Sequence, residues 1–350
     1  RVPLDGADLI RALIITRVAK TEVGELDDST KQNVLINERR VKIGLLLDSF
    51  NLWWSEENKQ IYFRQLTKEA KISESTSVAF DDNISPINNL YKLYSLAYSD
   101  GRLDMDFFER KSTDNNFLHE IQTLQRTIEN WYNDRILYHL ILFTIIYAGD
   151  GDKEKNLHKL SFKELYQTWQ RSHRKDFISY LKNRISKNEV FEDLLQQINI
   201  TDKDNETTAF QEMWYDNKLV NVSTLLDIIS ILSSKSNTKL PAKYFKAHKE
   251  DLEHIFPQTP IGDRIKDKEK QSQILIQYVG IINQSISDDE KINLKKDDID
   301  WDNQEWKEEI KAIIKDKIGK IIPINSLGNM CVLHESVNRG YGNDFFLEKR

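Results

Sequence analysis

Over the first 240 positions, apolar residues recur every three to four places, the period of a helix with one buried face. Between residues 7 and 19 the apolar positions are Leu9, Ile10, Leu13, Ile14 and Val18, with Asp5 or Asp8 available as a cap. Residues 37–66 carry Ile43, Leu46, Leu47, Phe50, Trp53, Trp54, Ile61 and Phe63 and predict one or two helices. The stretch 71–85, dense in Ser, Thr, Asp and Asn, has loop composition. Helical periodicity returns over 87–98 and 115–147, and Gly149-Asp150-Gly151-Asp152 reads as a turn and hinge. Ser161-Phe162-Lys163-Glu164 has the form of a capping box that opens the next helix. Helical segments follow at 177–185 and 190–197, then a polar linker at 202–208 and a strongly apolar helix at 222–232.

Beyond about residue 240 the pattern changes in kind. Helices are expected over 274–282 and 301–318, the second with Trp306, Ile310, Ile313 and Ile314. Met330, Val332 and Leu333, following a turn at Gly328-Asn329, predict a short strand.

Composition narrows the function classes. A chain of 350 residues fits two or three domains. Only 12 Gly and 6 Pro, with 30% charged residues, favour helices over a sandwich or barrel. The single cysteine, Cys331, excludes a disulfide framework and a thiolate-built zinc site. The longest apolar run, about 136–148, is too short to cross a bilayer. The net charge of −6 excludes a protein that coats nucleic acid by bulk charge. The chain opens on Arg1-Val2-Pro3 without the pattern of a signal peptide, and reads as a piece of a longer cytoplasmic protein. It holds neither GxGxxG nor GxxxxGK[ST].

Most histidines and tryptophans have ordinary readings. His139 lies on an aromatic-rich helix, where packing or hydrogen bonding is the expected role. His119, His158, His173 and His248 lack nearby metal-type partners and are expected at the surface or as caps. Trp53, Trp54, Trp131, Trp169 and Trp214 fall at helical spacing from other apolar residues and are expected in the core.

The chemistry concentrates near the C-terminus. Glu253-His254-Ile255-Phe256-Pro257-Gln258 is followed much later by Leu327-Gly328-Asn329-Met330-Cys331-Val332-Leu333-His334, and then by Asn338-Arg339-Gly340. These boxes resemble the ββα-metal, or HNH, nuclease motif in its His-Asn-Asn form. They are most similar to the C-terminal nuclease domain of GmrSD-type, modification-dependent (type IV) restriction enzymes. That family shows a Glu-His-Ile-x-Pro-Gln box, a Leu-Gly-Asn-Leu-x-Leu-Leu box, a trailing Asn, and a Lys near a Phe. The matching positions are 253–258, 327–333, Asn338, and Phe345 with Lys349. Upstream, residues 2–13 resemble the end of the family's GmrS-like domain. Residues 128–134 with Tyr138 and His139 resemble its helical middle.

The resemblance implies a mainly α protein, a multi-helix body with a small C-terminal ββα-metal nuclease domain. Region 1–148 would be the end of the GmrS-like domain and the helical middle, 149–242 a helical linker domain, and 243–350 the nuclease domain with an insert at about 262–320. It implies a metal-dependent DNA endonuclease or nickase of an anti-phage restriction protein, in which His254 activates water. Chemistry supports each role. A neutral imidazole, with an ordinary pKa of about 6.5, suits a base near neutral pH. Glu253 and Asn338 offer hard oxygen donors that fit Mg²⁺ or Mn²⁺ and make a poor zinc site. Asn329 would orient the imidazole, while Lys349 or Arg339 would hold phosphate oxygens. Gln258 and His334 are further candidate phosphate or DNA contacts, and a structural role at the strand end is the alternative for His334.

Two departures stand out. His254 and Asn329 lie 75 residues apart, although the strands of a compact ββα unit are usually close in sequence. The family's Asp-Gly-Gln-Gln-Arg box, tied to nucleotide use, is absent, so NTP use is not assigned to this chain. DNA, modified or not, is the expected partner, and homo-oligomer formation is left open. The competing readings are a helical binding or interaction module with an inactive HNH fold, and a nuclease directed at RNA. From residue 249 to the end, 16 Lys and Arg face 20 Asp and Glu, so DNA affinity must come from local patches or from a segment outside this chain.

Overall fold

The computed structural model describes residues 5–68, 70–72, 84–147, 160–187, 218–235, 237–242, 250–254, 267–321 and 330–334. These residues are mainly helical, and the strands among them form two short two-stranded pairs. Among them no helix is long and apolar enough to cross a membrane. The chain divides into two units, Arg1–Asn188 with Ile231–Lys246, and Glu189–Ser230 with Ala247–Arg350.

In the first unit, α1 (Gly6–Leu13) runs through a π-helical turn, Ile14–Val18, into α2 (Ala19–Val23). Gly24 stops it with φ +68°, a conformation that costs glycine little. α3 (Ser29–Trp54) starts well before its main apolar run because Asp28 caps it, accepting from the amides of Thr30 and Lys31 at 2.9 and 3.1 Å. It buries Ile36, Ile43, Leu47, Phe50 and Trp54. After Ser55 and Glu56 the chain continues as α4 (Glu57–Thr67), so the 37–66 pattern belongs to two helices. The expected loop at 71–85 begins with a strand: β1 (Lys71–Ile72) pairs in parallel with β2 (Arg102–Leu103), and 73–83 lie outside the described residues. Two residues are too few for any periodicity to show. Between these strands runs α5 (Asn88–Tyr98), and Asp104 caps α6 (Met105–Lys111).

The long pattern at 115–147 is also two helices, α7 (Phe117–Asn133) and α8 (Arg135–Tyr147). Asp134 separates them in an extended conformation, and its carboxylate accepts from the amides of Ile136 and Leu137 at 2.9 and 3.1 Å. The same carboxylate accepts from Arg174 Nε at 2.6 Å. Burial opposes its charge, but Arg174 and the two amides outweigh burial and hold its pKa below the ordinary range.

Ser161 caps α9 (Phe162–Arg171) through the Glu164 amide at 3.2 Å, as the capping box predicts, while the Glu164 carboxylate accepts from Tyr180. α10 (Arg174–Ser186) follows. α9 and α10 belong to the same compact unit as α1 to α8. Trp131 of α7 stacks on Phe177 of α10 at 5.9 Å and meets Trp169 of α9 edge-on at 6.1 Å. Trp54 and Trp131 are fully buried, Trp53 and Trp169 partly so, and Trp214 lies outside the described residues. Trp54 donates to Gln125 Oε1 at 2.9 Å, so its burial strands no polar atom. α11 (Lys218–Ser233) crosses the division, with residues 218–230 in the second unit and 231–233 in the first, and residues 190–197 and 202–208 lie outside the described set.

In the second unit, Asp267 caps α12 (Lys268–Gln284), and Asn303 caps α13 (Gln304–Ile321) through the amides of Glu305 and Trp306. They share a core of Ile274, Leu275, Tyr278, Val279, Ile282, Trp301, Ile310, Ile314 and Ile318. Trp301 precedes α13 and closes this core, donating to Ser272 Oγ at 2.8 Å. The helix expected from residue 301 therefore starts at Gln304.

Removing the Asp134 carboxylate frees two helix-end amides. Asp134→Ala is expected to lower stability by about 1–2 kcal/mol in urea denaturation, and Asp134→Asn, which keeps a cap acceptor, by clearly less. Equal losses would show that the cap does not set this junction.

Candidate functional site

The two motif boxes meet through their backbones. β3 (Glu250–His254) and β4 (Met330–His334) pair antiparallel, in the register Glu250 with His334, Asp251 with Leu333, Leu252 with Val332, Glu253 with Cys331, and His254 with Met330. The β4 sequence, Met-Cys-Val-Leu-His, suits a strand. The β3 sequence, Glu-Asp-Leu-Glu-His, is mostly charged and gives little strand signal of its own.

His254 is the last residue of β3 and lies opposite the first residue of β4. Asn329 precedes Met330 in sequence and lies outside the described residues, as do Gln258, Asn338, Arg339 and Lys349. His334 is opposite Glu250, four rungs from the His254–Met330 pair, or about 14 Å at the usual strand rise. The register thus separates the two histidines along the ladder. Among the described residues, no group of three or more His, Cys, Asp or Glu is arranged to hold a metal ion.

His139 is the histidine whose surroundings are fully defined, and its role is structural. It is completely buried on α8. Its Nε2 accepts from the Leu240 amide at 3.0 Å, which requires that nitrogen to be unprotonated. Nδ1 therefore carries the proton and donates to Arg135 O at 2.7 Å. Burial first, then the charges of Lys239 and Arg135, push its pKa below the ordinary 6.5, while the Arg135 carbonyl pulls the other way. His119 and His173 are exposed, and His173 precedes α10 without a side-chain cap bond. His158 and His248 lie outside the described residues.

One cluster has no clear trace in the sequence pattern. Lys59 is buried, with Nζ 4.5 Å from the Trp53 ring centre, 5.9 Å from that of Tyr132 and 2.6 Å from Glu56 Oε1. Lys239 approaches the rings of Tyr132 and Tyr138 at 4.9 and 5.0 Å and donates to Tyr132 O. Burial lowers the Lys239 pKa. These rings are satisfied by the protein's own cations, so the cluster is a packing device. A lysine beside a tryptophan six residues earlier was the available signal, and it is a weak one.

Compared with family models, with curated proteins and with solved structures, the chain matches none of them.

Two measurements check this geometry. Glu253→Cys introduces a thiol directly across from Cys331, within the separation that a disulfide spans. Mild oxidation is expected to yield an intramolecular disulfide in the folded protein, while Asp251→Cys, two rungs away, does not. Efficient bridging from position 251 would overturn the register. For His139, protonation costs more in the folded than in the unfolded state, so stability is complete above about pH 6.5 and falls as pH drops below it. His139→Gln is expected to lose about 1–3 kcal/mol at neutral pH and to show a weaker decline on acidification. A variant that declines as steeply as the parent would assign the acid sensitivity to other groups.

Proposed function

We propose that this chain is the helical body and nuclease domain of a metal-dependent DNA endonuclease or nickase, related to the modification-dependent restriction enzymes its motifs resemble. The observation that carries the reading is the β3–β4 register. Boxes separated by 75 residues of sequence run antiparallel, with His254 opposite the residue that follows Asn329. A ββα-metal centre needs that juxtaposition, since one strand supplies the base and the other begins beside it. The long insert was the main objection to the motif, and the compact core of α12 and α13 accounts for much of it.

In this reading His254 takes the proton from the attacking water. Asn329 orients the imidazole by a hydrogen bond, which selects the tautomer that leaves the working nitrogen free. Glu253 and Asn338 are the metal-holding residues. A carboxylate and an amide oxygen fit Mg²⁺ or Mn²⁺ and do not fit zinc. Such an ion, when bound, supplies Lewis-acid stabilisation of the phosphodiester oxygens. Lys349, Arg339 and Gln258 hold the phosphate and balance the charge that develops on it. His334, at the far end of the ladder, stays a candidate phosphate or DNA contact away from the His254 end.

Nicking of supercoiled plasmid tests the reading. The parent chain with Mg²⁺ or Mn²⁺ is expected to convert plasmid to the open form, and His254→Ala to slow that conversion by about 10²–10⁴-fold. Glu253→Gln is expected to raise the metal concentration needed for half-maximal cutting. Equal cutting by parent and His254→Ala would sink the assignment of His254 as the base.

A further inference from the structure

The segment 171–187 breaks the charge balance of the chain. It contains Arg171, Arg174, Lys175, Lys182, Arg184 and Lys187 against one acid, Asp176, in a protein with net charge −6. Two of these cations face inward work. Arg174 is tied to Asp134, and buried Arg184 lies 3.9 Å from Glu164. The other four, Arg171, Lys175, Lys182 and Lys187, are exposed, and none of them forms an ion pair with a described residue. Some cations of the same unit are paired: Arg11 with Asp48, Arg17 with Glu109, Arg39 with Glu22, and Lys111 with Glu120. Others, such as Lys20, Lys31 and Lys42, are exposed and form no ion pair with a described residue, so it is the density of cations over 171–187 that sets this segment apart.

Helix geometry aligns two of the unpaired charges on α10, Lys175 and Lys182, and Lys187, its C-cap, lies about 80° outside the sector they share. At about 100° per residue, Lys175, Ser179, Lys182 and Ser186 fall in one sector about 60° wide. All four are exposed, and the opposite side of α10 buries Phe177, Leu181, Arg184 and Ile185. The serines donate back to the Lys175 and Asn183 carbonyls at 3.0 Å each, so the space between the lysines is small and uncharged. From Lys175 to Lys187 the helix rises about 18 Å, a length of duplex that carries roughly ten phosphate charges.

We propose that the outer face of α10, with Arg171, docks the phosphate backbone of duplex DNA. Lysines on a smooth helix face contact phosphates and carry no base code, so the binding is independent of sequence. A membrane-lying helix would need an apolar flank, and no large apolar side chain is exposed between 162 and 187. The choice of DNA among polyanions rests on the nuclease reading above.

Binding of a short labelled duplex in EDTA, titrated with salt, tests the proposal without requiring cleavage. Lys175→Gln/Lys182→Gln/Lys187→Gln is expected to flatten the slope of log affinity against log salt by about 2–3, at up to 0.9 per contact. A control with three exposed lysines on α2 and α3, Lys20→Gln/Lys31→Gln/Lys42→Gln, removes the same charge and is expected to keep the parent slope. Three results overturn the proposal: no binding by the parent, an unchanged slope in the α10 variant, or an equal change in the control. A larger α10-dependent slope on double-stranded RNA or anionic vesicles would overturn the assignment to DNA. Metal-dependent cutting is scored separately. Docking without cutting would sink the nuclease reading alone, and cutting with an unchanged salt slope would sink the docking surface alone.

Discussion

The junction at Asp134 and Arg135 holds the first unit together. Two consecutive side chains settle the ends of four helices. The Asp134 carboxylate separates α7 from α8, caps α8 and receives Arg174 at the start of α10. The Arg135 guanidinium donates to the carbonyls of Ile231 and Leu232 in the last turn of α11, and to Ser234 just beyond. One turn later, His139 receives the Leu240 amide, and Tyr138 donates to Leu240 O. The segment that re-enters this unit near residue 231 is therefore held by hydrogen bonds from the start of α8, and all but the one to exposed Ser234 satisfy a part-buried backbone group.

The second unit relies on a different constraint. Its helical core is local, since among the described residues its partners all fall within 267–321. The ladder between β3 and β4 is non-local and joins a charged strand to an apolar one. A two-residue period means that a slip of one rung would reverse the face on which every residue falls. The proposed chemistry depends on that register more than on any single side chain.

Much of the fold can be read from the sequence, for identifiable reasons. Apolar spacing located the long helices, and Ser161 announced α9. The break at Asp134 was hidden, and that at Ser55-Glu56 stayed open between one helix and two, because apolar residues continue at helical spacing on both sides of each break. The start of α3 was hidden as well, since a cap such as Asp28 is one polar residue among several. Turn chemistry is strong at 149, yet the contacts of Trp131 with Trp169 and Phe177 hold the helices before and after it in one core. For the candidate site, order and identity of residues were readable but proximity was not. A strand spelled Glu-Asp-Leu-Glu-His is recognised by its partner and not by its own propensity.

The 75-residue separation of the boxes also sets a cost of closure. Joining the ends of a flexible chain of that length costs about 4 kcal/mol in the logarithmic term alone. The compact core of residues 267–321 takes 55 of the intervening positions out of that count and so lowers the term. The insert thus eases the pairing of β3 with β4, and lesions in the Trp301–Ile314 core would raise the closure cost of a ladder formed elsewhere in the sequence.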